Sequence, residues 1–172
     1  MKILVNFFFL IFLLLISNSQ AEIFYINLDK IINQSEPGIF INKKIDILKK
    51  KNNDKILLIK EDLKKREDEL IKQKNILDKD EFNEKLNKLK SDINNFNNEN
   101  QKRIKEQQNK LISYKTKLLK LIEPILLEYV SKNNIKYLLQ KKYIIVGHND
   151  LNKTADIIEI INQNIDTSNF ND

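Results

Sequence analysis

Cysteine is absent from this 172-residue chain, so no disulfide framework, thiol nucleophile or thiolate ligand can be built. Glycine is almost as scarce: Gly38 and Gly147 are the only two, and neither belongs to a phosphate-cradling loop. The single histidine, His148, has neither a second histidine nor a cysteine to join it, and reads as a surface turn residue rather than a ligand or proton carrier. The acidic pairs Glu61-Asp62 and Asp68-Glu69 sit among lysines, where solvated charge and local ion pairing account for them. These shortages leave no motif for an enzyme, a metal site or an organic cofactor. Proline occurs only at Pro37 and Pro124, and between Ile39 and Pro124 there is neither Gly nor Pro, so nothing in the backbone chemistry breaks a helix there.

What fills that span is a stripe. Ile45, Leu48, Asn52, Ile56, Ile59, Leu63, Arg66, Leu70, Gln73 and Leu77 recur at spacings of three and four, and Phe82, Leu86, Leu89, Ile93 and Phe96 resume the pattern. Such spacing predicts two helices that each bury one narrow seam. Asp78, Lys79, Asp80 and Glu81 interrupt the stripe as a hairpin tip, with Asp78 or Asp80 placed to cap the second helix. Folding there sets Leu77 opposite Phe82, Leu70 near Leu89 and Leu63 near Phe96. The spacing widens to four-and-four at Leu48, Asn52, Ile56 and again at Phe96, Asn100, Ile104, at one level of the hairpin. With Asn52, Asn53, Gln107 and Gln108 close by, the arms should pack weakly and bend there. Residues 41–77 would reach ~55 Å as a helix, and a pair that long and thin needs a base to hold it.

The start of the chain supplies another expectation. Met1-Lys2, a largely apolar run over residues 3–16 and small residues at Ser19 and Ala21 read as a secretory signal peptide over residues 1–21, cleaved after Ala21. The apolar run is short for a membrane anchor. Net charge is +6 and unevenly spread. Residues 41–77 carry twelve basic against seven acidic side chains and residues 82–132 eleven against six, so each arm is +5, while the tip and the flanking segments are slightly acidic. Basic arms attract polyanions or acidic proteins. Lys49, Lys50, Lys64, Lys65, Arg66, Lys102 and Arg103 are the candidate residues for such capture.

Residues 22–40 and 133–172 make the base, and residues 41–132 the arm. Residues 22–28 read as a strand buried on both faces, with Asp29 capping a short helix over residues 30–34 and Ser35-Glu36-Pro37-Gly38 forming a turn. The second arm should continue through Pro124 with a kink and end at Asn133-Asn134. Residues 135–140 and 143–147 suggest a β-hairpin through Lys141-Lys142, with Ile135, Tyr137 and Leu139 on one face. Thr154 is placed to cap a helix carrying Ile157, Ile158, Ile160, Ile161 and Ile165, and residues beyond Asp166 read as a frayed tail. The class is therefore α+β, mainly α. A body of three strands and two short helices is too small to anchor such arms by itself, which favours oligomerisation, with Ile23, Tyr25, Ile135, Tyr137, Leu139, Ile144 and Val146 as the candidate assembly residues.

This order of pieces resembles the Skp/OmpH-like family of periplasmic chaperones. The opening strand running into Asp29-Lys30-Ile31-Ile32, the long basic hairpin, the closing strand pair and the element running from Asp150 through Thr154 to Ile158 carry the resemblance. It implies a homotrimer whose strands complete a small barrel, with three hairpins projecting like tentacles around a cavity. It further implies a periplasmic, ATP-independent holdase for unfolded outer-membrane proteins. The family's lipopolysaccharide-binding residues find no counterpart that can be placed on this chain. Two other readings of the same residues are a structural coiled-coil spacer of the envelope and a binder of anionic lipid through the basic arms; secretion disfavours nucleic acid as a partner.

Overall fold

The computed structural model describes residues 22–171, and the expected signal peptide lies outside them. The first strand, β1, is Ile23–Ile26, and a short helix α1 follows at Leu28–Gln34. The first arm is α2, Glu36–Gln73, and the second is α3, Lys79–Lys132. Strand β2, Tyr137–Gln140, and helix α4, Thr154–Asn164, complete the body, with single 3-10 turns at Lys141–Tyr143, Asn149–Leu151 and Thr167–Phe170. At ~1.5 Å per residue the arms are roughly 57 and 80 Å long.

Each arm begins on a side-chain cap. Ser35 accepts the Gly38 N–H and starts α2 with Pro37 in its first turn, so residues 35–38 are the head of the arm and not the expected free turn. Asp78 accepts the Asp80 and Glu81 N–H groups, each at 2.9 Å, and starts α3. The reversal itself occupies residues 74–77, one turn before the charged tip. Pro124 lies within α3, which runs on to an Asn133 cap and a left-handed Asn134 at φ 52°. Among the described residues, no helix is long and apolar enough to cross a membrane.

The seam follows the expected register with one rotation. Leu70 and Leu89 are buried opposite each other, and Leu63 and Phe96 are both half-buried. Ile104, however, turns outward and Arg103 takes its place, while Asp92 shares the seam with Ile93, each about a third exposed. Arg66 brings Asp92 in: its Nη2 meets Asp92 Oδ2 at 2.5 Å, and a guanidinium facing the partner helix demands a carboxylate.

The core sits at the root of the arms. Ile31 of α1, Ile41 and Ile45 of α2, Leu118 and Ile122 of α3 and Ile157 and Ile161 of α4 are all essentially inaccessible. Several expectations for the body change here. The sheet is two-stranded and parallel, Ile23 pairing with Tyr137 and Ile26 with Gln140. The expected hairpin does not form, because Lys141-Lys142 lacks the positive dihedrals of a tight turn; the chain makes a 3-10 turn and leaves residues 144–147 unpaired. β1 is covered at its end only, Tyr25 and Ile26 being buried and Ile23 half-exposed. Asn27, not Asp29, caps α1, accepting the Lys30 N–H at 2.9 Å. Thr154 does not cap its own helix: its hydroxyl accepts the Asn27 N–H at 2.8 Å and donates to Asn152 Oδ1 at 2.6 Å. That carboxamide also accepts the Thr154 N–H at 3.1 Å, so Asn152 and Thr154 tie the closing helix to the end of β1.

The tail is ordered as well. Asp166 caps the turn Thr167–Phe170 by accepting the Ser168 N–H, a bond that also holds its carboxyl below the usual carboxylate range. Phe170 is 0% exposed and meets the Tyr114 ring edge-on at 6.3 Å. Tyr114 is itself 2% exposed, and its hydroxyl has no hydrogen-bond partner among the described residues. A buried orphan hydroxyl costs more than its removal, so Tyr114→Phe is expected to raise stability by about 1 kcal/mol. Urea unfolding checks this through a higher midpoint at unchanged slope; a lower midpoint would show that the hydroxyl is satisfied in solution.

Candidate functional site

Two surfaces stand out: the outer faces of the arms, and one side of the body. On the arms, Lys50, Lys65 and Lys102 are exposed and make no ion pair among the described residues. Lys49 lies 3.3 Å from Asp46, and Lys64 lies 3.0 Å from Asp68 and 3.3 Å from Glu67, pairings along one helix that are well exposed. Hydrogen bonding to Asp68 and Glu67 holds the Lys64 ammonium above its ordinary value. Such exposed pairs are weak and leave both lysines able to turn to an outside anion.

Arg66 and Arg103 sit differently. Arg66 reaches across to Asp92 and back to Asp62 at 3.6 Å, and the Asp92 hydrogen bond raises its already high pKa. Arg103 is half-buried in the seam, its Nη1 without a partner among the described residues, and Asn100 Oδ1 nearby is in the same condition. Of the seven residues singled out from sequence, the structure thus places five on the outside of the arms and two between them.

The arms also expose apolar side chains that the stripe did not absorb. Ile47, Leu57, Leu58, Ile71 and Ile76 on and just beyond α2, and Ile112 on α3, are largely solvent-exposed. Phe82, Phe96 and Tyr114 face into the hairpin, Tyr114 buried and the two phenylalanines half-buried. The signal for the exposed set was present: each is an apolar residue left over once the three-and-four seam is subtracted. Lysines interleaved with isolated apolar side chains form a surface that attracts acidic chains at long range and touches exposed hydrophobic segments at short range.

At the tip, Asp78 serves as the cap, Lys79, Asp80 and Glu81 form the first turn of α3, and Lys85 lies 2.9 Å from Glu81. In the body, Tyr25 and Ile135 are buried within the chain and Ile144 is half-buried, whereas Ile23, Tyr137, Leu139 and Val146 are exposed. Tyr143 and Ile145, which the sequence did not single out, are exposed as well, Ile145 completely so. Elsewhere on the body an apolar groove of about 590 Å³ runs between the sheet and α3, walled by Ile26, Leu28, Leu119, Leu126, Val130 and Leu138. His148 is exposed and pairs with Asp150 at 3.0 Å, and among the described residues no group of His, Cys, Asp and Glu could hold a metal ion.

The family model described as outer membrane protein (OmpH-like) matches residues 22–161. No curated protein matches the chain by sequence. Among solved structures, one from Caulobacter crescentus, assigned as an outer membrane chaperone (OmpH-like), superposes with a TM-score of 0.79 at 11% identity. The likeness covers 87% of this chain and 88% of the other, and at that identity it speaks for the fold: the same long hairpin on a small body.

Proposed function

The chain belongs to the OmpH-like outer membrane protein family, and from that premise we propose that it is an ATP-independent holdase chaperone of the periplasm. Its clients are unfolded outer-membrane proteins, held between the arms of a homotrimer before membrane insertion. The observation that carries this reading is the arm surface, where unpaired Lys50, Lys65 and Lys102 alternate with exposed Leu57, Leu58 and Ile71 on helices too thin to enclose a core of their own.

The mechanism follows from the strength of those contacts. Lysines raise the encounter rate with acidic clients, an effect that falls with salt. Scattered apolar side chains then hold the chain through many weak contacts, each of which exchanges quickly. Release requires no bond-breaking step, because the client's own folding or insertion outcompetes contacts of that kind.

The test is dilution of a urea-denatured outer-membrane β-barrel protein into buffer with the purified protein. Aggregation is expected to be suppressed at about one trimer per client, less so in high salt. Replacing Lys50, Lys65 and Lys102 together by Glu should slow capture by roughly ten-fold at low salt while leaving helicity unchanged. A folded, trimeric protein that leaves aggregation untouched would turn the reading toward an envelope spacer.

A further inference from the structure

The family match ends at residue 161, yet the chain folds back beyond it onto the root of the arms. Ile165 is buried, and Phe170 fills a space walled by both arms, in one cluster with Ile41 and Ile45 of α2 and Tyr114 and Leu118 of α3. Two lysines fasten the same segment from opposite sides: Lys44 of α2 donates to the Phe170 carbonyl, and Lys117 of α3 donates to the Asn169 carbonyl at 2.7 Å. The tail thus touches each arm once through a cation and both together through one aromatic ring.

We propose that residues 165–170 are a clasp that fixes the angle at which the two arms leave the body. Higher up, the arms face each other through Asn52, Asn100, Arg103 and Gln107, a polar stretch with two unsatisfied buried atoms. Apolar packing supports the root and little supports that stretch, so with the clasp closed the hairpin bends in the polar stretch and stays stiff below it. With the clasp open, Tyr114 and Leu118 lose the ring that covers them, and the pivot moves to the root. This goes beyond the holdase reading and does not depend on it, since the arm angle is a property of the protein without any client.

Amide hydrogen exchange on the purified protein and on Phe170→Ala tests the clasp. Exchange in residues 41–48 and 111–118 is expected to speed up by about ten-fold or more, with β1 and α4 unchanged. Lys117→Met, which leaves the core filled, should act in the same direction by about two- to three-fold. Unchanged protection at the root in both variants overturns the proposal. So does a rise spread evenly over body and arms, which would make Phe170 an ordinary core residue.

Discussion

Replacing Gly38 with alanine is expected to destabilise the protein by about 3 kcal/mol, the upper end for an overpacked site. A Cβ at this position would lie 1.8 Å from the Ile32 carbonyl oxygen and 2.8 Å from its carbon. Both are backbone atoms at the end of α1, so no rotamer change relieves the overlap; α1 has to move away from the head of α2. Ile31 and Ile32 would move with it, and the core at the root of the arms would open. No glycine among the described residues has a positive φ, so the requirement at Gly38 is space and not the conformational freedom that a Pro-Gly pair suggests. A melting temperature lower by roughly 10 °C at fixed protein concentration is the expected reading. Gly147→Ala is the control: its Cβ would meet Tyr25 Cε1 at 3.2 Å and Ile144 Cγ2 at 3.3 Å, side-chain atoms that can shift. Equal stability of Gly38→Ala and the parent would show that α1 docks differently in solution.

The hairpin was legible because its signals are local. A seam at spacings of three and four, a glycine-free span and an aspartate at the tip each act within a few residues, and the antiparallel register then follows from the reversal point. The rotation that brings in Asp92 and Arg103 was not legible, because adjacent residues differ by only about 100° around a helix and the choice falls to what the other arm presents. The strand pairing failed for a different reason. β1 and β2 lie more than a hundred residues apart in the chain, and a contiguous pair of apolar runs looks like a hairpin until a distant partner claims one of them. Phe170 is a lone aromatic in a polar tail; no period marks it, and only the fold of the arms shows the space it enters.

The candidate site was legible by class and less so by residue. Charge asymmetry put the basic excess on the arms, and lysines with no seam position are left outside. Charge alone could not tell a lysine on the outer face from an arginine between the helices; the three-and-four stripe already held Arg66 but not Arg103. Arg66 and Arg103, the only two arginines of the chain, are the two of the seven that lie in the seam. A planar guanidinium with several donors fits a partly desolvated helix pair better than an ammonium does, and that preference is a usable sequence signal.

Substituting Ile145→Asp and Val146→Asp together is expected to convert the proposed trimer to monomers. These side chains are 100% and 90% exposed in the protomer, so no packing within one chain is lost, and α2 and α3 should keep their full helical signal. Two four-residue strands make a sheet too small to stand alone, and among the described residues β2 has β1 as its one strand partner, which leaves its far edge open. Burying an aliphatic side chain contributes ~1.5–3 kcal/mol, and a trimer would bury six of these two residues. The variant removes that contribution and sets six carboxylates against one another, so dissociation should strengthen by at least about a thousand-fold, equivalent to ~4 kcal/mol. Light scattering at micromolar concentration reads the change as a fall from three chains to one. Loss of aggregation suppression in the same samples would tie client holding to assembly, because a single hairpin presents the same lysines without a cavity between arms. A variant that stays trimeric would place the assembly surface elsewhere, and a parent that is monomeric at tens of micromolar would remove the cage from the mechanism.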